Sequence, residues 1–317
     1  MKYDAVLEGG GVKGTAHVGA LAAIEAKGFE PSHLAGASAG SIVAALRAAG
    51  YTPAEMKSLL AELDYHQFLD GRSWQISRVY DFWKNYGYYK GDVFYEWIRG
   101  LLAQKGVRTF GDIAIAGQSD LRYRWPLKVT VSDLTKQSLR VMPDDAGPTT
   151  APDQLEVALA IRMSMSIPYF FRPVQYGGNY IVDGGTLSNF PLWIFDAEGV
   201  PDHPTFGLLL EDSAEIAQEQ TIGGPVEFFQ ALLNTMLRSH DKQFIRPGDF
   251  LYRTIKIPTG AVGTIDFGIT SLKKDWLYHS GQLAANTFLA NWKFEDYKAW
   301  AVKTRGGIQE DGTGTNP

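Results

Sequence analysis

A strand-loop-helix pattern that occurs twice within the first 50 residues predicts an α/β protein for this 317-residue chain, a three-layer α/β/α sandwich. The first unit runs from the apolar Ala5-Val6-Leu7 through a glycine-rich loop into the helix-like segment 15–27, which Gly28 closes. The second ends a strand at Gly36, turns through Ala37-Ser38-Ala39-Gly40 and continues as a short apolar helix over 41–49, closed by Gly50. Glycine after a helix takes the left-handed backbone at no steric cost, so both closures read as helix ends. Strand-like runs at 127–132, 138–142, 180–182, 206–210 and 251–257 supply the rest of a sheet. Helical patterns at 226–240 and 272–292 supply further flanking layers.

The turn Gly36-Ala37-Ser38-Ala39-Gly40 places a serine between four Gly or Ala residues. A sharp strand-to-helix turn that exposes a nucleophile needs such neighbours, because any larger side chain clashes where the chain reverses. Ser38 then stands at a helix N-terminus, where the dipole and free amides favour developing negative charge. The loop Glu8-Gly9-Gly10-Gly11-Val12-Lys13-Gly14 occupies the same strand-to-helix position in the first unit. In a parallel sheet both loops emerge at the carboxyl edge, on strands about 5 Å apart. Its backbone N–H groups can therefore turn toward Ser38 and form an oxyanion hole.

Gly9, Gly11 and Gly14 also satisfy G-x-G-x-x-G, so dinucleotide binding is a rival reading. That fingerprint wants an acidic residue about 20 positions on, at the end of a second strand. Glu30 has the spacing but lies in the turn-like Gly28-Phe29-Glu30-Pro31.

A serine nucleophile needs a base. Of the histidines, His17 lies in the first helix, His33 and His203 sit near prolines in turn-like stretches, His66 is in an aromatic segment, and His240 and His279 are in amphipathic patterns. All six read as surface or packing residues. Asp183 follows Tyr180-Ile181-Val182 and precedes Gly184-Gly185, which sets a carboxylate on a tight turn at a strand end. Asp-Gly is also an ordinary turn signal.

Together, Gly9-Gly10-Gly11-Val12-Lys13-Gly14, Gly36-Ala37-Ser38-Ala39-Gly40 and Asp183-Gly184-Gly185 resemble, in order and spacing, the motifs of the patatin-like phospholipases. Ser164-Met165-Ser166-Ile167-Pro168 resembles the family's serine- and proline-containing stretch ahead of its aspartate, and the likeness covers about residues 4–195. It implies a lipid acyl hydrolase with Ser38 as nucleophile, Asp183 as its direct partner in a dyad without histidine, and amides of Gly9, Gly10, Gly11 and Val12 at the oxyanion. It implies phospholipid, lysophospholipid or another lipid ester as substrate. No cofactor and no metal are expected. Glu8 and Lys13 stand where the family often has Asp and Arg, which leaves the anchoring of the loop open. A Ser-His-Asp esterase, an acyltransferase and a non-catalytic dinucleotide-binding module remain alternatives.

At 45% hydrophobic residues the chain can bury a large core, read as one hydrolase unit over 1–305 with a disordered tail at 306–317. A net charge of −5 argues against nucleic acid as a partner. The absence of cysteine excludes disulfides and thiolate chemistry, and with no apolar run of roughly 18 residues and no signal peptide a cytoplasmic location is expected. Residues 62–105 read as a cap. Within it, residues 65–97 interleave Phe68, Trp74, Tyr80, Phe82, Trp83, Tyr86, Tyr88, Tyr89, Phe94 and Tyr95 with basic residues, as core packing or as an acyl pocket and membrane-contacting lid.

Overall fold

The computed structural model describes residues 1–71, 84–197, 199–212, 223–224, 231, 235 and 248–305. The chain begins β1 (Lys2–Leu7), α1 (Gly14–Ala26), β2 (Glu30–Gly36), α2 (Ser38–Ala48) and α3 (Pro53–Glu62). A short strand β3 (Gly87–Tyr89) and α4 (Asp92–Gln104) lead to the hairpin β4 (Leu127–Asp133) and β5 (Ser138–Met142). Helix α5 (Val157–Ser164) precedes β6 (Tyr169–Phe171), β7 (Val174–Tyr176), β8 (Asn179–Asp183) and β9 (Thr205–Asp212). The chain closes with β10 (Thr254–Gly260), α6 (Ser271–Ala290) and α7 (Phe294–Arg305).

The main sheet pairs in the order β10-β9-β1-β2-β4-β8-β7, with β5 also on β4. Strands β10, β9, β1, β2 and β4 are parallel neighbours, whereas β5, β8 and β7 add antiparallel pairs. Alternation along β1 explains the layers. Ala5 and Leu7 join the large core beneath the helices, and Val6, with Ala35 of β2, packs on the other face against Phe190, Leu192 and Phe195. All seven residues of β4 are buried, as a strand covered on both faces requires, and Lys128 is tolerated there because its amine meets Asp144. The result is a three-layer α/β/α sandwich.

One detail of register positions the site. Val129 of β4 pairs with both Gly36 of β2 and Met142 of β5, and Val131 pairs with both Asp183 of β8 and Arg140 of β5. A strand has only two edges, so β2 and β8 must share the one opposite β5. Strand β2 runs parallel to β4 and β8 antiparallel, so their carboxyl ends approach each other head-on. Two residues of β4, about 7 Å, separate the ends.

Three expectations need correction or limits. Glu30 and Pro31 form the start of β2 and no turn; there β2 pairs only with β1, and the missing proline N–H costs no hydrogen bond on the open edge. The strand expected at 251–257 starts later, at Thr254, because Gly248 at φ +93° opens a helical turn over Asp249–Tyr252. The helix expected at 226–240 falls outside the described residues except for Ala231 and Thr235, as does the tail 306–317. Among the described residues, no helix is long and apolar enough to cross a membrane.

Helices α1 and α6 approach to backbone contact. A Cβ on Gly281 would lie 1.9 Å from the Ala16 carbonyl oxygen, and one on Gly19 would lie 1.9 Å from that of Tyr278. Backbone cannot step aside as a side chain can, so Gly281→Ala is expected to cost about 2–3 kcal/mol in urea unfolding. Gly100→Ala, on an open face of α4, should instead stabilise by about 0.5–1 kcal/mol.

Candidate active site

Ser38 is the first residue of α2 and has φ +47°, a left-handed backbone that a serine adopts only when its surroundings enforce it. The enforcement is steric. A Cβ on Gly36 would lie 2.4 Å from the Gly40 carbonyl carbon, and one on Gly40 would lie 2.4 Å from the Leu7 carbonyl oxygen. Ala37 and Ala39 are buried between them. The chain therefore turns tightly enough to set Ser38 over the end of β1.

Asp183 ends β8 and is buried. Its Oδ1 accepts a hydrogen bond from the Gly185 N–H at 2.7 Å. Glycine is needed next, because a Cβ on Gly184 would lie 2.2 Å from the Thr130 carbonyl oxygen. Burial pushes the Asp183 carboxyl up to about 7, against the opposing pull of the nearby Ser38 hydroxyl and of the Gly185 N–H. The Ser38 hydroxyl is turned toward the Met165 sulfur, 3.7 Å away, and Asp183 Oδ2 is left without a hydrogen-bond partner.

Residues 164–166 brace both groups. Ser164 Oγ accepts from the Ser38 N–H at 2.9 Å, and the Ser166 carbonyl accepts from the Asp183 N–H at 2.9 Å. Arg162 secures the brace by donating to Ser166 Oγ at 2.6 Å.

The glycine loop is anchored along its length. The Glu8 carboxylate accepts from Asn189 Nδ2 at 3.2 Å and from the Leu210 N–H at 2.6 Å, and Lys13 pairs with Asp212. Below the loop, burial lowers His17 to about 4, so the ring is neutral and donates from Nε2 to the Glu8 carbonyl at 2.8 Å. The four expected oxyanion residues divide into two pairs. The Gly9 and Val12 amides are committed to the carbonyls of Asn189 and Thr264, at 3.0 and 3.1 Å. Among the described residues, the Gly10 and Gly11 amides donate to no protein acceptor. Gly9 itself presses on the serine, since a Cβ there would lie 3.0 Å from Ser38 Cβ.

Gly9, Gly10, Ser38, Ile167, Asp183, Thr186, Asn189 and Thr264 line one small pocket. No histidine among the described residues does so. His33 and His203 lie at the far end of the sheet, His66 and His279 are exposed, and His240 is outside the described residues. Glu30 begins β2 at the edge opposite the glycine loop, so it cannot meet a ribose whose phosphates lie on that loop. Asn189 and Thr264 are site residues with no sequence signal of their own, because each acts through contacts that the fold creates.

Ile167 and Thr264 also border a strongly apolar cavity with Met165, Ile42, Val43, Leu60, Tyr65, Phe68, Phe94 and Trp97. The aromatic segment thus divides. Tyr65, Phe68 and Phe94 are buried walls of this cavity, Tyr86 and Tyr88 are exposed, and Trp74, Tyr80, Phe82 and Trp83 lie outside the described residues.

This site places the chain in the class of α/β proteins that set a serine on a strand-to-helix turn. The sequence model of the patatin-like phospholipases matches residues 5–196. The chain is 38% identical over 304 residues to the uncharacterised protein YqhO of Bacillus subtilis, covering 93% of this chain and all of YqhO. It is 25% identical over 190 residues to the probable lipid hydrolase 463L of invertebrate iridescent virus 6, covering 59% of this chain and 61% of that protein. The crystal structure of VipD from Legionella pneumophila shares the fold, with a TM-score of 0.55 at 19% identity over 91% of this chain and 66% of VipD. The chain belongs to the patatin-like phospholipase family.

Because Asp183 titrates near 7 in the folded protein against an ordinary 3.8, the native state holds its proton more tightly than the unfolded chain. Stability from this group is full below pH 3.8, falls as pH rises toward 7 and is flat above. The loss is on the order of 4 kcal/mol at 1.36 kcal/mol per unit. Asp183→Asn should therefore unfold at a higher temperature than wild type at pH 8, with the gap closing toward pH 4.5. Calorimetry across that range checks it.

Proposed function

We propose that the protein is a serine lipid acyl hydrolase in which Ser38 and Asp183 form the catalytic dyad. One observation carries the reading: a strained serine and a buried carboxylate with one unpartnered oxygen line the same pocket, which adjoins an apolar cavity. Rotation about the Ser38 Cα–Cβ bond exchanges the Met165 sulfur for Asp183 Oδ2. Asp183 then takes the hydroxyl proton as Ser38 Oγ attacks an ester carbonyl, and the Gly10 and Gly11 amides receive the oxyanion. Collapse expels the alcohol, which leaves with the proton held by Asp183. Water, deprotonated by the same carboxylate, releases the acyl group. A base near 7 suits neutral pH far better than a carboxylate near 3.8.

The apolar cavity is the acyl-chain site, which favours lipid esters, including phospholipids and lysophospholipids, over short soluble ones. Residues 1–305 act as the hydrolase unit, with 62–105 as its cap and the exposed Tyr86 and Tyr88 as the side that meets a lipid surface.

Ser38→Ala and Asp183→Asn should each lower kcat on p-nitrophenyl esters by about 10³-fold or more, with the double variant little worse than either. Wild-type kcat/KM should rise as pH increases through about 7, where Asp183 becomes the free base. A folded Ser38→Ala variant that keeps its activity, or fails to lose fluorophosphonate labelling, would remove the assignment. Ile42→Phe narrows the cavity, so kcat/KM on laurate esters should fall about tenfold or more relative to butyrate. Equal losses on both substrates would place the acyl chain elsewhere.

A further inference from the structure

At the opposite edge of the sheet from Ser38, the amino ends of β1, β2 and β9 bring together Asp4, His33 and His203, a cluster that the ester chemistry does not use. A β-bulge makes the meeting possible. Tyr3 pairs with Pro31 but Asp4 pairs with His33, so Ser32 is skipped. Paired residues point to the same face, and the skip is what turns His33 toward Asp4. His203 arrives from the segment just ahead of β9, stacked on His33 with 6.5 Å between ring centroids.

The hydrogen positions then pose a problem that a cation solves. His33 Nε2 lies 3.1 Å from the Tyr123 carbonyl oxygen, which only accepts, so Nε2 carries the hydrogen. In a neutral ring Nδ1 then presents a lone pair to Asp4 Oδ1 at 2.9 Å, acceptor against acceptor. Asp4 Oδ1 also lies 2.9 Å from His203 Nε2. Either a proton or a metal ion must lie between these atoms. Zinc held at 2.0–2.1 Å in tetrahedral geometry keeps its donor atoms about 3.3 Å apart. The two imidazole–carboxylate separations fall short of that by a few tenths of an ångström, and all three ligand atoms lie within 4.8 Å of one another. The outer bond from His33 to a backbone carbonyl is the arrangement that fixes the ring of a metal-ligating histidine. Asp4 and His33 are buried, while the His203 side chain keeps 22% of its surface exposed and provides the way in.

We propose that Asp4 Oδ1, His33 Nδ1 and His203 Nε2 bind a divalent ion of the zinc class, with water as the fourth ligand, and so staple the amino ends of three parallel strands. Two imidazoles and one carboxylate suit zinc or cobalt rather than magnesium or calcium, which prefer all-oxygen shells.

The test uses the full chain stripped with EDTA and then dialysed. Titration with ZnCl2 by calorimetry should show one equivalent bound per chain, and CoCl2 should produce the visible bands of a four-coordinate ion. A hundredfold excess of Zn2+ over its Kd should raise Tm by about 3–4 °C. His203→Gln alters the most exposed of the three ligands, where folding is least at risk, and should weaken binding at least tenfold and abolish the Tm shift. His279→Gln, at an exposed pair with Asp275, should change neither. Absence of saturable binding to wild type, or equal binding by His203→Gln, overturns the site and leaves a proton on His33 as the bridge.

Discussion

The head-on approach of β2 and β8 along one edge of β4 is the constraint on which the rest of the site depends. It sets the strained Ser38 turn and the Asp183 turn about two residues of β4 apart, from opposite directions. Both turns lie so close to neighbouring backbone that glycine is required at Gly36, Gly40 and Gly184. Residues 164–166 then pin the two ends by hydrogen bonds to the Ser38 and Asp183 amides. Movement of either strand end would break both the turn and the brace.

Electrostatics follow from the same geometry. Where the two strand ends close on each other, water is excluded and Asp183 is buried, which raises its affinity for a proton. A buried carboxylate with an unpartnered oxygen destabilises the fold near neutral pH. The same raised proton affinity is what the proposed role of Asp183 as base calls for, and such a conflict between stability and use is common at functional sites. The glycine loop is anchored in turn: Glu8, Lys13 and neutral His17 hold it, and among the described residues the Gly10 and Gly11 amides are the loop N–H groups that donate to no protein acceptor.

The histidines show how far residue type alone misleads. His17, His33 and His203 all read as unremarkable in the chain, yet His17 supports the loop from below and the other two meet Asp4 at the far end of the sheet. His33 looked turn-like because Pro31 precedes it, whereas proline is tolerated at the start of a strand that has a neighbour on one side only. The aromatic segment likewise held two readings, core or acyl pocket. Tyr65, Phe68 and Phe94 are buried and also line the apolar cavity, so the two readings do not exclude each other.

The α/β class, the Ser38 elbow, the glycine loop and the Asp183 turn were legible in the sequence because each rests on local chemistry. Small residues at a tight turn, glycine at a helix end and period-two apolar runs are written within a few positions of one another. Tertiary structure alone decided which loop amides stay uncommitted, that Glu8 answers Asn189 and the Leu210 amide, and that Thr264 closes the loop from some 250 residues away. It also decided the meeting of Asp4, His33 and His203, through a skipped residue in β2 that no pattern in the chain announces. These contacts depend on strand order, direction and register, which are set by packing over the whole sheet rather than by any neighbouring residue.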